Sequence, residues 1–301
     1  MTTSPSAMTD QTRTGLIAAF GAYAMWGVLP GYLKLMDAVD VREILAQRIV
    51  WTIPAVLAAI AVFGGGLAKS LRDVRAGFAP GAFWPLCGSA ALIAFNWAVF
   101  LWAVQNDRVI ESSLGYFLNP LVNVALGVLL LGEKLRRMQS IAIACAAIGV
   151  AVQAFALGHA PWVSLALCFS FAFYGLIRKR TAVTAAAGLL VETLILAPFA
   201  VGALLWLAAR APLHFGADPW QTVWLSLSGV VTAAPLILFA LAARRLRLST
   251  MGVIQFLAPS MQFAIGAASG EPLTPLRLAS FAIIWLGLAL FAADAVRREA
   301  A

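Results

Sequence analysis

The sequence predicts an all-α membrane protein of ten transmembrane helices in two inverted five-helix repeats, with the N and C termini cytoplasmic. Three observations lead there. Of 301 residues, 62% are hydrophobic and 11% charged, too little polar surface to cover a fold in water. The apolar residues come in long unbroken runs of Ala, Leu, Val and Ile, not in stretches of about ten that alternate apolar with polar, so spanning helices are favoured over a closed barrel as the way to pair every backbone group in lipid. Basic residues, finally, concentrate in the tails and on alternate connections between the runs, fifteen of the 21.

Residues 1–14 are rich in Ser and Thr, carry Arg13 as their one basic residue and read as a disordered cytoplasmic tail. The apolar run behind them is too long and too interrupted for a cleaved signal. Runs near the ~20 residues that cross ~30 Å of hydrocarbon place helices at 16–35, 44–63, 83–104, 113–131, 139–157, 161–177, 186–207, 222–242, 250–268 and 276–293. The sixth is the shortest. Residues 15–158 then form the first five-helix unit, 159–294 the second, and 295–301 a cytoplasmic tail. Several tryptophans, among them Trp84, Trp162 and Trp220, sit near run ends, where an amphipathic ring prefers the headgroup level.

Fifteen of the 21 Lys and Arg residues lie in the tails and on alternate connections, in clusters such as Lys69, Arg72 and Arg75, or Arg178, Lys179 and Arg180. The other set of connections holds five, Lys34, Arg42, Arg108, Arg210 and Arg277, and Arg48 lies inside a run. The positive-inside rule puts the fifteen-charge side in the cytoplasm. The net charge of +8 is thus a topology signal; clusters separated by whole spans, without aromatic interleaving, give no nucleic-acid surface.

Cys87, Cys145 and Cys168 lie in apolar runs with no regular spacing, and His159 and His214 are far apart in short connections, so no disulfide framework, metal site or cofactor is expected. No acid, histidine or nucleophile–base cluster marks an enzyme, and no catalytic residue is assigned.

The chain repeats itself. Phe117-Leu118-Asn119-Pro120, followed by Gly132-Glu133, has a counterpart in Phe256-Leu257-Ala258-Pro259, followed by Gly270-Glu271. Five spans per unit, an odd number, force the second copy to enter the membrane upside down. The charges agree: Lys134, Arg136 and Arg137 follow the first copy, whereas Arg244, Arg245 and Arg247 precede the second.

These segments, together with Glu43-Ile44-Leu45-Ala46-Gln47-Arg48, Asn96-Trp97, the stretch from Arg108 to Leu121, Glu192-Thr193-Leu194 and Gln255 to Ser260, resemble the RarD family in the EamA group of the drug/metabolite transporter superfamily. The resemblance implies ten helices, two five-helix repeats and transport of a small metabolite or drug across a bacterial inner membrane. The direction expected is export. A flippase-like carrier of lipid intermediates is the alternative, and an integral-membrane enzyme a more distant one. The expected partners are a small-molecule substrate and the bilayer. Gln47 stands where many relatives are expected to carry histidine, which argues against a histidine-based mechanism there.

Candidate site residues are the polar groups stranded in apolar runs. Arg48 would cost about 2.5–3.5 kcal/mol at a helix centre; five residues beyond Glu43, it either snorkels to the outer surface or contacts an anion in a polar cavity. Glu192, flanked by Leu and Val, is costly to ionise unless paired and is the candidate proton-coupling site. Asn96, Tyr116, Asn119 and Gln255 are expected to face inward as substrate-binding candidates. The last two neighbour Pro120 and Pro259, which are expected as helix breaks whose loosened backbone groups line a cavity.

Overall fold

The structure, a computed structural model, describes residues 10–63, 67–131, 137–157, 160–243, 245–246 and 254–299. It is all-helical over those residues. The helices are α1 (Asp10–Lys34), α2 (Val41–Phe63), α3 (Leu67–Gly77), α4 (Pro80–Gln105), α5 (Val109–Leu131), α6 (Arg137–Leu157), α7 (Trp162–Arg180), α8 (Ala185–Ala208), α9 (Pro219–Ala243), α10 (Leu257–Ala268) and α11 (Pro275–Glu299). Five of them, α1, α2, α4, α8 and α9, are long and apolar enough to cross a membrane by length and composition. With the relatives described below, they make the chain an integral membrane protein.

Each predicted run overlaps one helix, with ends moved by a few residues. The ninth is the exception in length: its helix begins at Leu257, and residues 247–253 lie outside the described part. Helix α3 was not foreseen. Its eleven residues carry Lys69, Arg72 and Arg75 on a helix too short and too polar to span, and its end packs where a side chain on Gly77 would meet Val191 of α8.

Alternate connections gather at one end of the bundle. Lys34 pairs with Asp107 at 2.8 Å, Gln105 donates to the carbonyl of Val39, and Gln221 donates to that of Leu35. Asp107 takes a positive φ of 52° in the tight turn between α4 and α5, a conformation that Asp tolerates better than most residues. The helices therefore run alternately up and down.

Helices of the N-terminal half pack mainly on helices of the C-terminal half. α2 lies against α8 and α9, α1 against α9 and α10, α4 and α5 against α7, and α6 against α11. A Cβ at Gly229 of α9 would collide with the backbone carbonyl of Trp51 in α2, so glycine is what lets these two helices approach. The apolar core divides into clusters, one built on Leu33, Ile44, Leu101 and Leu167 and another on Phe117, Phe281 and Ile284.

Candidate functional site

Arg48 sits seven residues into α2, about 10 Å along the axis from its start. It is 5% exposed and does not snorkel. Its Nε donates to Thr232 Oγ1 of α9 at 2.8 Å, and its guanidinium lies 4.6 Å from the centre of the Trp97 ring in α4. The Thr232 hydroxyl donates in turn to the carbonyl of Ser228, leaving its lone pairs for Arg48. The buried Nη1 of Arg48 has no hydrogen-bond partner, and no carboxylate pairs with the guanidinium, among the described residues.

Tyr32 of α1 and Tyr116 of α5 lie within electrostatic range of Arg48, and a tyrosine hydroxyl carries no charge at neutral pH. The Tyr116 hydroxyl donates to Asn96 Oδ1 at 3.3 Å, and Asn96 Nδ2 donates to the carbonyl of Leu167 and to Ser170 Oγ in α7. Tyr32 donates to the carbonyl of Trp224 in α9. Asn96 and Tyr116 thus share one hydrogen-bond network, and Arg48 lies over Trp97, the chain neighbour of Asn96 in α4.

Glu192 forms a second cluster. It is fully buried in α8 and accepts a hydrogen bond from Ser89 Oγ of α4 at 2.5 Å and one from the Tyr174 hydroxyl of α7 at 3.3 Å. Arg178 Nε lies 3.6 Å from its Oε1. The carboxylate that looked solitary in the sequence has a cation beside it, and that cation is Arg178 rather than Arg48. Gly188, one turn before Glu192, makes the pair possible, because a Cβ there would overlap the Arg178 guanidinium.

The end that carries Lys34 and Asp107 holds three carboxylates that bind backbone N–H groups far away in the sequence. Glu271 accepts from Val109 and Ile110 at 2.7 and 3.0 Å, the first two residues of α5, whose amides have no partner within their own helix. Glu111 accepts from Val163 at 3.3 Å, at the start of α7. Glu43 accepts from His214 and Phe215 at 3.2 and 2.8 Å, before α9. Burial pushes the Glu271 carboxyl above its ordinary value, against the pull of its two amide donors. A cleft of about 230 Å³ opens here, lined by Asp107, Arg108, Glu111, Glu271 and Arg277 among others.

Asn119 is 6% exposed with its Oδ1 unpartnered, and Gln255 is half-buried in the turn before α10. No hydrogen bond among the described residues joins either to the Arg48 cluster. A turn at residues 255–256 separates the helical residue 254 from α10, just ahead of Pro259. Position 120 falls inside the continuous α5, the proline side chain itself lying outside the described part. Pro259 occupies the first turn of α10, where an N–H has no helical partner to lose.

Sequence reasoning passed over Thr232, Trp97, Arg178 and Ser89. Trp97 stood beside Asn96 in a quoted stretch, and Glu271 inside the repeated Gly-Glu pair. Arg178 was hidden by its place in a basic cluster. Thr232 and Ser89 carry no sequence signal, since small hydroxyls are common in apolar helices.

The profile of the EamA-like transporter family matches residues 13–155. Protein RarD of Escherichia coli (strain K12) is 42% identical over 289 residues, covering 95% of this chain and 96% of that protein. An uncharacterized transporter of Vibrio cholerae is 41% identical over 290 residues, 96% and 95% of the two chains. The chloramphenicol-sensitive protein RarD of Pseudomonas aeruginosa is 31% identical over 286 residues, 94% and 95% of the two chains. One crystal structure, 19% identical, covers 92% of this chain and 96% of its own with a TM-score of 0.60, a likeness of fold.

Proposed function

Because this chain belongs to the RarD family of EamA-like transporters, we propose that it is a secondary transporter, moving a small metabolite or drug-like molecule outward across a bacterial inner membrane by alternating access. The observation that carries this reading is the Arg48–Thr232–Trp97–Asn96–Tyr116 cluster, a set of polar groups buried at the seam of two packed units in a chain that is otherwise apolar. Stability alone gives little reason to bury an arginine without a counter-charge.

Two inverted five-helix repeats and ten spans follow from the same reading. Helices at equivalent places in the two units pack against each other in pairs: α2 with α8, α5 with α10, and α6 with α11. Phe117 and Phe256, equivalent residues of the two motif copies, stack with ring centroids 6.4 Å apart. A two-fold axis passing between them in the membrane plane would produce such a self-paired contact. The basic clusters put the Glu43, Glu111 and Glu271 latches on the outer side, so this conformation is closed outward. Glu192 is the coupling group, and Asn119 and Gln255 line the path in another conformation.

Two experiments test this. A reporter active only in the cytoplasm works when fused at Lys69, Arg180 or Arg245 and fails at Arg108 or Asp218. Single cysteines replacing Ser170 or Asn119, in a chain without its native cysteines, react with a membrane-impermeant thiol reagent from both faces of oriented vesicles. Inertness of both positions from both faces, with loop cysteines reacting, overturns alternating access through this seam.

A further inference from the structure

Arg48 narrows the substrate class, on the premise that the chain is a transporter. Stacking on Trp97 occupies one face of the guanidinium, and Thr232 occupies Nε. Nη1 is buried and has no hydrogen-bond partner among the described residues. A guanidinium edge offers paired in-plane N–H donors that match the two oxygens of a carboxylate, while an ammonium offers a point charge without that fork. The group that completes this site is therefore an anion.

Its surroundings restrict the rest of the molecule. A zwitterion would need a carboxylate to receive its ammonium, and among the described residues no carboxylate pairs with Arg48. Glu192, the buried carboxylate of α8, is already engaged by Arg178, Ser89 and Tyr174. Beside the guanidinium lie Trp97 and Tyr116, and Tyr116 packs on Phe100 and Phe171 with centroids 5.8 and 6.3 Å away. Flat apolar walls around a cation suit a body that is itself flat and apolar.

We infer that the transported substrate is a small organic acid, bound as its anion with the carboxylate on the Arg48 edge and an aromatic or similarly flat body against Trp97 and Tyr116. The amide of Asn96, already held by Ser170 and Leu167, positions Tyr116 rather than binding charge.

The test uses the full chain purified in detergent and four probes that share a phenyl ring: benzoate, benzamide, phenylalanine and benzylamine. Succinate and inorganic phosphate are added as anions without a ring. Binding is read by the thermal midpoint and by quenching of tryptophan emission. The expected order is benzoate ahead of succinate and phosphate, with the amide, the zwitterion and the amine weaker by tenfold or more. Arg48→Gln weakens benzoate by at least tenfold; Arg48→Lys, which keeps the charge and loses the fork, weakens it by less and serves as the folded control should Arg48→Gln fail to fold. The inference is overturned if none of the three anions binds, if benzoate binds Arg48→Gln as well as the parent, or if benzamide or benzylamine binds as well as benzoate. Flux of a neutral or cationic solute in proteoliposomes without anion binding sinks the inference and leaves the transporter reading intact. Anion binding that depends on Arg48, with no flux of any probe, sinks the transporter reading instead.

Discussion

Arg48 and Arg178 are both guanidiniums drawn into the bundle from helices, and both leave Nη1 without a hydrogen-bond partner, yet their surroundings differ in one respect. Arg178 has Glu192 at 3.6 Å and reaches the carbonyls of Thr184 and Ala185 at 3.4 Å; Arg48 has an aromatic face and a hydroxyl. One positive charge is balanced by a carboxylate, and the other has no carboxylate partner among the described residues. Burying a charge is expensive unless it is paired, so the balanced one reads as a tie between α7 and α8, and the unbalanced one as a site awaiting its counter-charge. Nature rather than number of polar contacts separates them.

The largest expected effect falls on the balanced pair. Glu192→Gln keeps one acceptor oxygen, puts an amide NH2 where Ser89 or Tyr174 now donates, and leaves Arg178 without its carboxylate, a loss within the ~3–5 kcal/mol seen when one partner of a buried pair is removed. Chemical denaturation measures it. The same variant, reconstituted, has lost the pH dependence of flux if Glu192 is the coupling group; retention of the wild-type pH profile assigns Glu192 to structure alone.

Next comes the unbalanced site. Arg48→Gln lowers counterflow of the anion that binds best by about 10- to 100-fold, as expected for one charge-assisted hydrogen bond of ~1.5–3 kcal/mol. Undiminished counterflow would remove Arg48 from the path. Gly188→Ala is milder, because the overlapping atoms are the far end of a flexible side chain that swings away. It costs about 1 kcal/mol, a typical hydrogen-bond contribution, and weakens the pH dependence of flux part of the way towards its loss in Glu192→Gln. An unchanged pH profile would separate Gly188 from the pair.

The smallest effect concerns the outer latch. Burial raises the Glu271 carboxyl, so the latched conformer binds a proton more readily than one in which Glu271 is solvated. Latching is therefore favoured as the outer pH falls and weakens as pH rises through the raised value. A cysteine at Ser113, buried beside the latch, reacts faster with an impermeant thiol reagent at higher pH than thiol ionisation alone explains. That excess vanishes in Glu271→Gln; an excess at low pH instead would reverse the assignment.

Much of this was legible in the sequence for a physical reason: lipid forces the pairing of backbone groups within helices, so apolar length announces them. The runs at 83–104 and 186–207 sit inside α4 and α8 almost to their ends. Arg48, Asn96 and Tyr116 were legible because a polar group inside such a run is conspicuous. Arg178 was not, since its direction depends on Gly188 in the next helix, a long-range packing fact. The two prolines fall in different settings, Pro259 in a first turn behind the turn at 255–256 and position 120 within α5, and the sequence alone gives no means of telling them apart. Helix α3 escaped because an amphipathic basic segment resembles a loop when the search is for apolar length.

The contrast between the two arginines is tested most directly by the thermal midpoints of Arg48→Gln and Arg178→Gln, measured side by side in the same detergent without ligand. Removing an unbalanced charge relieves a burial cost and offsets the lost Thr232 and Trp97 contacts, so Arg48→Gln holds or raises the midpoint. Removing a balanced one strands Glu192, so Arg178→Gln lowers it by several degrees. If Arg48→Gln falls as far as Arg178→Gln or farther, Arg48 is a structural tie and the anion site built on it does not exist.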